Sequence, residues 1–243
     1  MHITTDTTTD GVVERLFTLD GITGVIWSPE IPTGETRLLL SGHSGGMHKK
    51  APGLVANALH SVSRGFTVAA IDAPGHGDRP RNAEDQQWAD AIHRARDAGQ
   101  PLAPIVTEYN ASLAQRAVPE WQATIDALHA LPEIGAAPIG FGGMTLGVAT
   151  GLLLAAVEPR IAAASFGPVM ADDVLRAAAE KLTIPVEFTI AWDDEHIDRT
   201  AALTLFDVCG SADKSVHVYP GTHTRMTGVD PDRGARFFER YLG

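Results

Sequence analysis

The chain has 243 residues, enough for one α/β domain with a sizeable core and with no need of two. Its hydrophobic content of 44% and charged content of 20% argue against wholesale disorder. A formal net charge of -11, spread along the chain rather than gathered in a tail, argues against phosphate backbones and anionic membranes as partners.

The first ten residues are rich in Thr and Asp, and fraying is expected there. No positive region followed by an apolar run is seen near the start, so no secretory signal is expected. Segments 12–19 and 22–28 alternate in polarity and meet at Asp20-Gly21, which predicts an antiparallel hairpin. The run LLLSG at 38–42 predicts a buried strand ending in a loop, and 51–64 predicts a helix stopped by Gly65. FTVAAID at 66–72 is a second buried strand, followed by the turn-rich PGHGDRP. Residues 80–116 are polar and break the alternation, as an inserted cap would. Helical spacing of Trp121, Ile125 and Leu128 follows over 119–131. Four strand-and-helix pairs complete the chain: 138–141 with 146–157, 161–166 with 171–182, 186–192 with 199–209, and 215–219 with 231–242. Such alternation predicts a mostly parallel sheet covered by helices on both faces, with its site at the carboxyl ends of the strands.

Three features fall at those ends. Gly143-Met144-Thr145-Leu146-Gly147 follows a strand and opens a helix. Small residues at both flanks permit a very tight bend that exposes the central side chain and sets the Leu146 N–H at a helix N-terminus, where it can stabilise an oxyanion. An ordinary glycine-rich helix start with Thr145 as a cap is the plainer alternative. Trp192-Asp193-Asp194-Glu195-His196-Ile197 closes a later strand, and a carboxylate there can orient a histidine. Asp193, Glu195 and His196 are expected to be solvated. Gly221-Thr222-His223 follows the last strand, where a histidine is well placed as a general base. The order hydroxyl, carboxylate, imidazole, each after a strand, is what joins them into one site. His43, His48 and His76 match no short metal-binding spacing, and His43 and the turn His76-Gly77-Asp78-Arg79 are expected to be structural.

From about residue 12 to 242 the chain resembles the α/β-hydrolase superfamily, in particular its bacterial dienelactone-hydrolase-like and esterase-like branch. LLLSGHSGGMHKK, VAAIDAPGHGDRP, PIGFGGMTLG, EPRIAAASFG, IPVEFTIAWDDEHID and YPGTHT carry the resemblance. It implies a single α/β-hydrolase domain with a helical cap at about 80–116 and a triad of Thr145, Asp194 and His223. Asp194 is favoured over Asp193 because Ile197 stands where such loops carry an apolar anchor. The resemblance further implies an oxyanion hole of the Leu146 N–H with a second N–H from Ser44 or Gly45, Gly45 being favoured. Family members carry serine at the elbow, and the dienelactone hydrolases carry cysteine, whereas this chain has threonine. The added methyl stiffens the side chain and crowds the bend.

The activity implied is hydrolysis of a small ester, thioester or lactone, with no cofactor and no metal. Two alternatives stand beside it: a cofactor-free cyclase, lyase or C–C cleaving enzyme with His223 as base, and a non-catalytic small-molecule-binding module. A small-molecule substrate is expected, and neither nucleic acid nor membrane. Monomer and homodimer are both open. The single cysteine, Cys209, allows no intrachain disulfide and fits a cytoplasmic protein.

Overall fold

The computed structural model describes residues 1–32, 34–223 and 225–243. Its main sheet has nine strands in the order β1-β2-β3-β5-β4-β6-β7-β8-β9. β1 (His2–Thr9), β2 (Val12–Leu19) and β3 (Ile22–Pro29) form an antiparallel meander, and β3 joins β5 (Phe66–Ile71) antiparallel. From β5 onward the sheet is parallel through β4 (Arg37–Gly42), β6 (Ile139–Gly143), β7 (Ile161–Phe166), β8 (Val186–Ala191) and β9 (Lys214–Tyr219). This is the mostly parallel sheet expected from the alternation, in the α/β-hydrolase arrangement that the resemblance implies.

β1 corrects the expectation of a frayed start. Thr9-Asp10-Gly11-Val12 repeats the turn chemistry of Leu19-Asp20-Gly21-Ile22. Asp10 and Gly11 take φ of 51° and 78°, and Asp20 and Gly21 take 47° and 83°. Both are two-residue hairpin turns with positive φ at each central position. The threonines are β-branched and suit an edge strand exposed along most of its length.

Strand alternation sends successive side chains to two separate cores. Leu38 and Leu40 face the layer of α3 (Ala103–His129), α4 (Leu146–Ala155), α5 (Asp173–Ala179) and α6 (Arg199–Val208), while Leu39 faces α1 (Pro52–Ser63) and α7 (Arg233–Leu242). A short pair, β10 (Gly221–Thr222) and β11 (Arg225–Met226), follows β9.

Residues 83–97 form α2, capped by the Asn82 side chain on the Asp85 N–H. The helix expected from 119 begins much earlier. α3 runs unbroken for 27 residues from Ala103, with Pro119 inside it. Proline at 119 deletes one intrahelical hydrogen bond, yet the buried face of Leu113, Ala117, Trp121, Ile125 and Leu128 carries the helix through.

The chain turns back at β4: it crosses to β5 on one side, and β6 returns to the other side of β4. Strand-end loops emerge on both sides of that reversal, the place where open α/β sheets hold ligands. Beneath the loop after β4, the buried Asp72 carboxylate gathers the Lys49 N–H at 2.8 Å, the Lys49 ammonium at 2.6 Å and the Thr23 hydroxyl at 2.7 Å. Burial pushes the Asp72 carboxyl up, but these hydrogen bonds outweigh it and hold the group below its ordinary value. The Lys49 ammonium also reaches Asp78 at 2.5 Å.

Lys49→Met strands the fully buried Asp72, and a loss of about 3 kcal/mol is expected in urea unfolding. A loss under about 1 kcal/mol would show that the pair is not what holds this loop. Because the Asp72 carboxyl is depressed, its contribution is present above about pH 4 and fades as pH falls below that value.

Candidate active site

β4 and β6 pair in parallel with Gly42 opposite Gly143, so the loop after β4 and the bend after β6 leave the sheet side by side. The first turn of α4 lies directly on both strand ends. A Cβ on Gly42 would come within 2.7 Å of the Gly147 Cα, and one on Gly143 within 2.6 Å of the Gly147 carbonyl carbon. A Cβ on Gly147 would collide with the Gly42 carbonyl. Glycine at 42, 143 and 147 is therefore a packing requirement.

The bend forces Thr145 to φ 47° and ψ -103°, a region that β-branched residues rarely enter. The Thr145 N–H is tied to the Pro168 carbonyl at 3.0 Å, and its own carbonyl accepts from Val148 and Ala149. Thr145 makes no side-chain cap on α4, which sets aside the plainer view of it as a helix cap. The Thr145 Oγ1 instead accepts a hydrogen bond from the Gly45 N–H at 3.4 Å. The Leu146 N–H, at the start of α4, meets no acceptor among the described residues. Thr145, Leu146 and Gly45 are thus brought together. The Ser44 carbonyl accepts from His43 Nδ1 at 2.8 Å and from the Met47 N–H at 3.1 Å.

Two buried imidazoles fix this loop. His43 Nδ1 donates to the Ser44 carbonyl, and its Nε2 accepts from the Ala73 N–H at 3.0 Å. His76 Nδ1 donates to the Pro74 carbonyl at 2.9 Å, and its Nε2 accepts from the Gly46 N–H at 3.1 Å. Each ring must be neutral to accept at Nε2. Burial lowers His43 to about 4 and is also the main cause of the lowered His76 value. Gly46 is thereby committed to His76, while the Gly45 N–H faces the Thr145 hydroxyl.

On the other side, His223 Nδ1 donates to Asp194 Oδ2 at 2.9 Å. The Asp194 carboxylate is buried, and its Oδ1 accepts the N–H groups of His196 and Ile197 at 2.9 Å each. Asp193 and Glu195 are exposed as expected, and each also bonds the histidine loop. Asp193 Oδ2 accepts from the Gly221 N–H at 3.3 Å and Glu195 Oε2 from the His223 N–H at 3.0 Å. That second bond holds the Glu195 carboxyl below its ordinary value. His196 is exposed as expected, and its ring meets the His223 ring edge-on at 5.3 Å. No hydrogen bond joins His223 to the Thr145 hydroxyl, so the described residues form two separate assemblies, each beyond the carboxyl end of its strand.

α3 packs over the elbow side, with Tyr109 and Leu113 clustered with Leu146. Tyr109 stacks on His76 and on Trp88 of α2, and its hydroxyl donates to the buried Asp85, which also binds Arg116. Thr107 reaches Met170 Sδ at 3.6 Å beyond the end of β7. Asn110 stands beside Gly45 and Leu146. Sequence spacing gave no sign of Tyr109, Asn110 or Glu195, because each meets the site only through the tertiary fold.

No protein-family model and no curated protein sequence matches the chain. Solved structures do. A cold-adapted esterase from an Arctic intertidal metagenomic library, in a PEG-bound complex, is 30% identical. The match covers 99% of this chain and 98% of that one with a TM-score of 0.76. Acetyl xylan esterase 1 from Thermoanaerobacterium is 15% identical, covering 96% and 85% with a TM-score of 0.71. A dienelactone hydrolase from Anabaena variabilis is 17% identical, covering 95% and 99% with a TM-score of 0.66. The last two are likenesses of fold.

Two substitutions in the elbow have opposite expected signs. Thr145→Gly relieves the positive φ and raises unfolding stability by about 1 kcal/mol. Gly147→Ala drives a methyl into the Gly42 carbonyl and lowers stability by more than about 2 kcal/mol. Urea unfolding of both variants checks this, and a stabilised Gly147→Ala protein would contradict the packing.

Proposed function

The chain belongs to the α/β-hydrolase superfamily, and we propose that it hydrolyses small esters, thioesters or lactones with Thr145 as nucleophile, His223 as base and Asp194 as its orienting carboxylate. The observation that carries this is the Thr145 hydroxyl held out at a strained strand-to-helix bend, 3.4 Å from the Gly45 N–H and next to the Leu146 N–H, which meets no acceptor among the described residues. Full-length likeness to an esterase at 30% identity supports the reaction class.

In this mechanism the ester carbonyl oxygen takes the place between the Leu146 and Gly45 N–H groups. Its arrival frees the Thr145 hydroxyl from Gly45, and rotation about χ1 turns it toward His223. Oγ1 attacks the carbonyl carbon while its proton passes to His223 Nε2. The two N–H groups hold the oxyanion, and Asp194 stabilises the imidazolium and fixes its orientation. Collapse breaks the bond to the leaving group, which takes the proton from His223. Water, deprotonated by His223, then releases the acid from the acyl-threonine. This chemistry needs no metal or cofactor. α2 and the first half of α3, within residues 80–116, form the cap that excludes water and selects a small-molecule substrate.

One observation favours a second reading. The Thr145 hydroxyl is bonded to Gly45 and not to His223, so His223 could act directly on a bound substrate in a lyase, cyclase or C–C cleaving reaction without covalent attack. Kinetics with p-nitrophenyl acetate separate the two. Thr145→Ala and His223→Ala are each expected to lower kcat/KM by about a thousandfold or more. Thr145→Ser, which removes the crowding methyl, is expected to raise it by about ten- to a hundredfold. Turnover that survives Thr145→Ala but not His223→Ala would remove Thr145 as nucleophile and leave His223 acting directly, as the second reading requires. Tight ligand binding with no turnover in any form would replace both with a binding module.

A further inference from the structure

The buried stripe of α3 that lies over the elbow is Asn110, Leu113, Ala117 and Trp121, at spacings of three and four residues. Three of the four are apolar and almost wholly inaccessible. The fourth is an amide. Leu113 packs on Leu146, and Ala117 and Trp121 wall a small cavity behind Leu146 and Gly147. Asn110 sits at the open end of the stripe. It is only 8% exposed, and its side chain makes no hydrogen bond to any of the described residues. A Cβ on Gly45 would lie 3.3 Å from Asn110 Oδ1 and 4.0 Å from the Leu146 Cβ. The amide therefore borders the two residues whose N–H groups flank the Thr145 hydroxyl.

Asn110 is nine-tenths buried, its amide keeps the residual access, and with no bond to the described residues it is left to bond what enters beside it. A packing role would be served better by leucine, the residue one turn along the same stripe. α3 is also held firmly here. Tyr109, the neighbouring residue, is stacked on His76 and bonded to Asp85, and His76 in turn binds the Gly46 N–H. The amide is thus presented by a fixed helix to a fixed loop, which is how a selective polar contact is built.

Resting on the ester-hydrolase reading above, we propose that Asn110 is a specificity-determining residue. It hydrogen-bonds a polar substituent on the acyl portion of the substrate, next to the reacting carbonyl. His223 serves the leaving-group side, and Asn110 stands on the side of the Gly45 loop, so the acyl group is what it meets. The substrate class is a short acyl ester or lactone bearing a hydroxyl or comparable oxygen on the carbon beside the carbonyl. An amide can donate to such an oxygen or accept from its proton. A site that relies on this bond discriminates strongly against the analogue that lacks it, because the amide is then left buried and unpaired.

Phenyl glycolate and phenyl propanoate differ by a hydroxyl in place of a methyl and test this directly by phenol release. After correction for their rates with hydroxide, wild type is expected to favour the glycolate in kcat/KM by about thirtyfold or more. Asn110→Ala is expected to bring the ratio to within about threefold, and Asn110→Leu to favour the propanoate, both retaining propanoate turnover. The ratio is internal to each variant, so partial misfolding does not move it. A wild-type ratio near one overturns the proposal even if neither variant folds. A preference for the glycolate that persists in Asn110→Ala or Asn110→Leu also overturns it. Wild type that cleaves neither ester, nor p-nitrophenyl acetate, removes the ester-hydrolase reading and this proposal together, whereas cleavage of both at equal rates removes this proposal alone.

Discussion

The contact between the first turn of α4 and the ends of β4 and β6 governs the rest of the site. Gly147 lies against Gly42 and Gly143 so closely that no side chain fits at any of the three positions. That proximity leaves the intervening chain one way to turn, with Thr145 at φ 47° and its hydroxyl pointing out of the bend. It also sets the Leu146 N–H at the head of the helix and the Gly45 N–H across from the hydroxyl. Strain at one residue is held by tight packing at three others, the usual arrangement where a backbone is kept in a poorly populated region.

The parts around this contact keep the surrounding loops still. His43 and His76 are buried and neutral, and each spends both ring nitrogens on backbone groups of the β4 and β5 loops. Asp72 and Lys49 fasten the same two loops from below. The acidic run at 193–195 serves the histidine: Asp194 bonds its ring, Glu195 its N–H, and Asp193 the N–H of Gly221. Of the three adjacent carboxylates only that of Asp194 is buried, while Asp193 and Glu195 are exposed. Here each is turned to a different donor, which is how an acidic turn becomes a positioning device. The two halves share no hydrogen bond in this arrangement, and in the mechanism we propose it is the substrate that joins them.

Much of this was legible in the residues. Glycines at fixed offsets after an apolar strand marked the elbow, because close approach of backbones leaves few other choices. The chain order of Thr145, Asp194 and His223 placed them at one edge of the sheet once the strands were counted, and the structure pairs Asp194 with His223 and Gly45 with Thr145. What escaped detection did so for physical reasons. β1 is polar on both faces because it is an exposed edge, so it lacks the alternation that reveals a half-buried strand, although Asp10-Gly11 carried the same turn signal as Asp20-Gly21. α3 was divided at Pro119, where burial of one helix face outweighs the local penalty. Asn110 and Glu195 carry no local pattern at all, since their partners are distant in sequence.

Mass spectrometry after brief treatment with a fluorophosphonate tests the central claim most directly, because this reagent reacts fastest with a hydroxyl activated by a base within an oxyanion hole. A single phosphonyl adduct is expected on the peptide containing Thr145, and its formation is expected to vanish in the His223→Ala protein. A folded protein that takes up no label, or takes it up elsewhere, would contradict threonine as the attacking group.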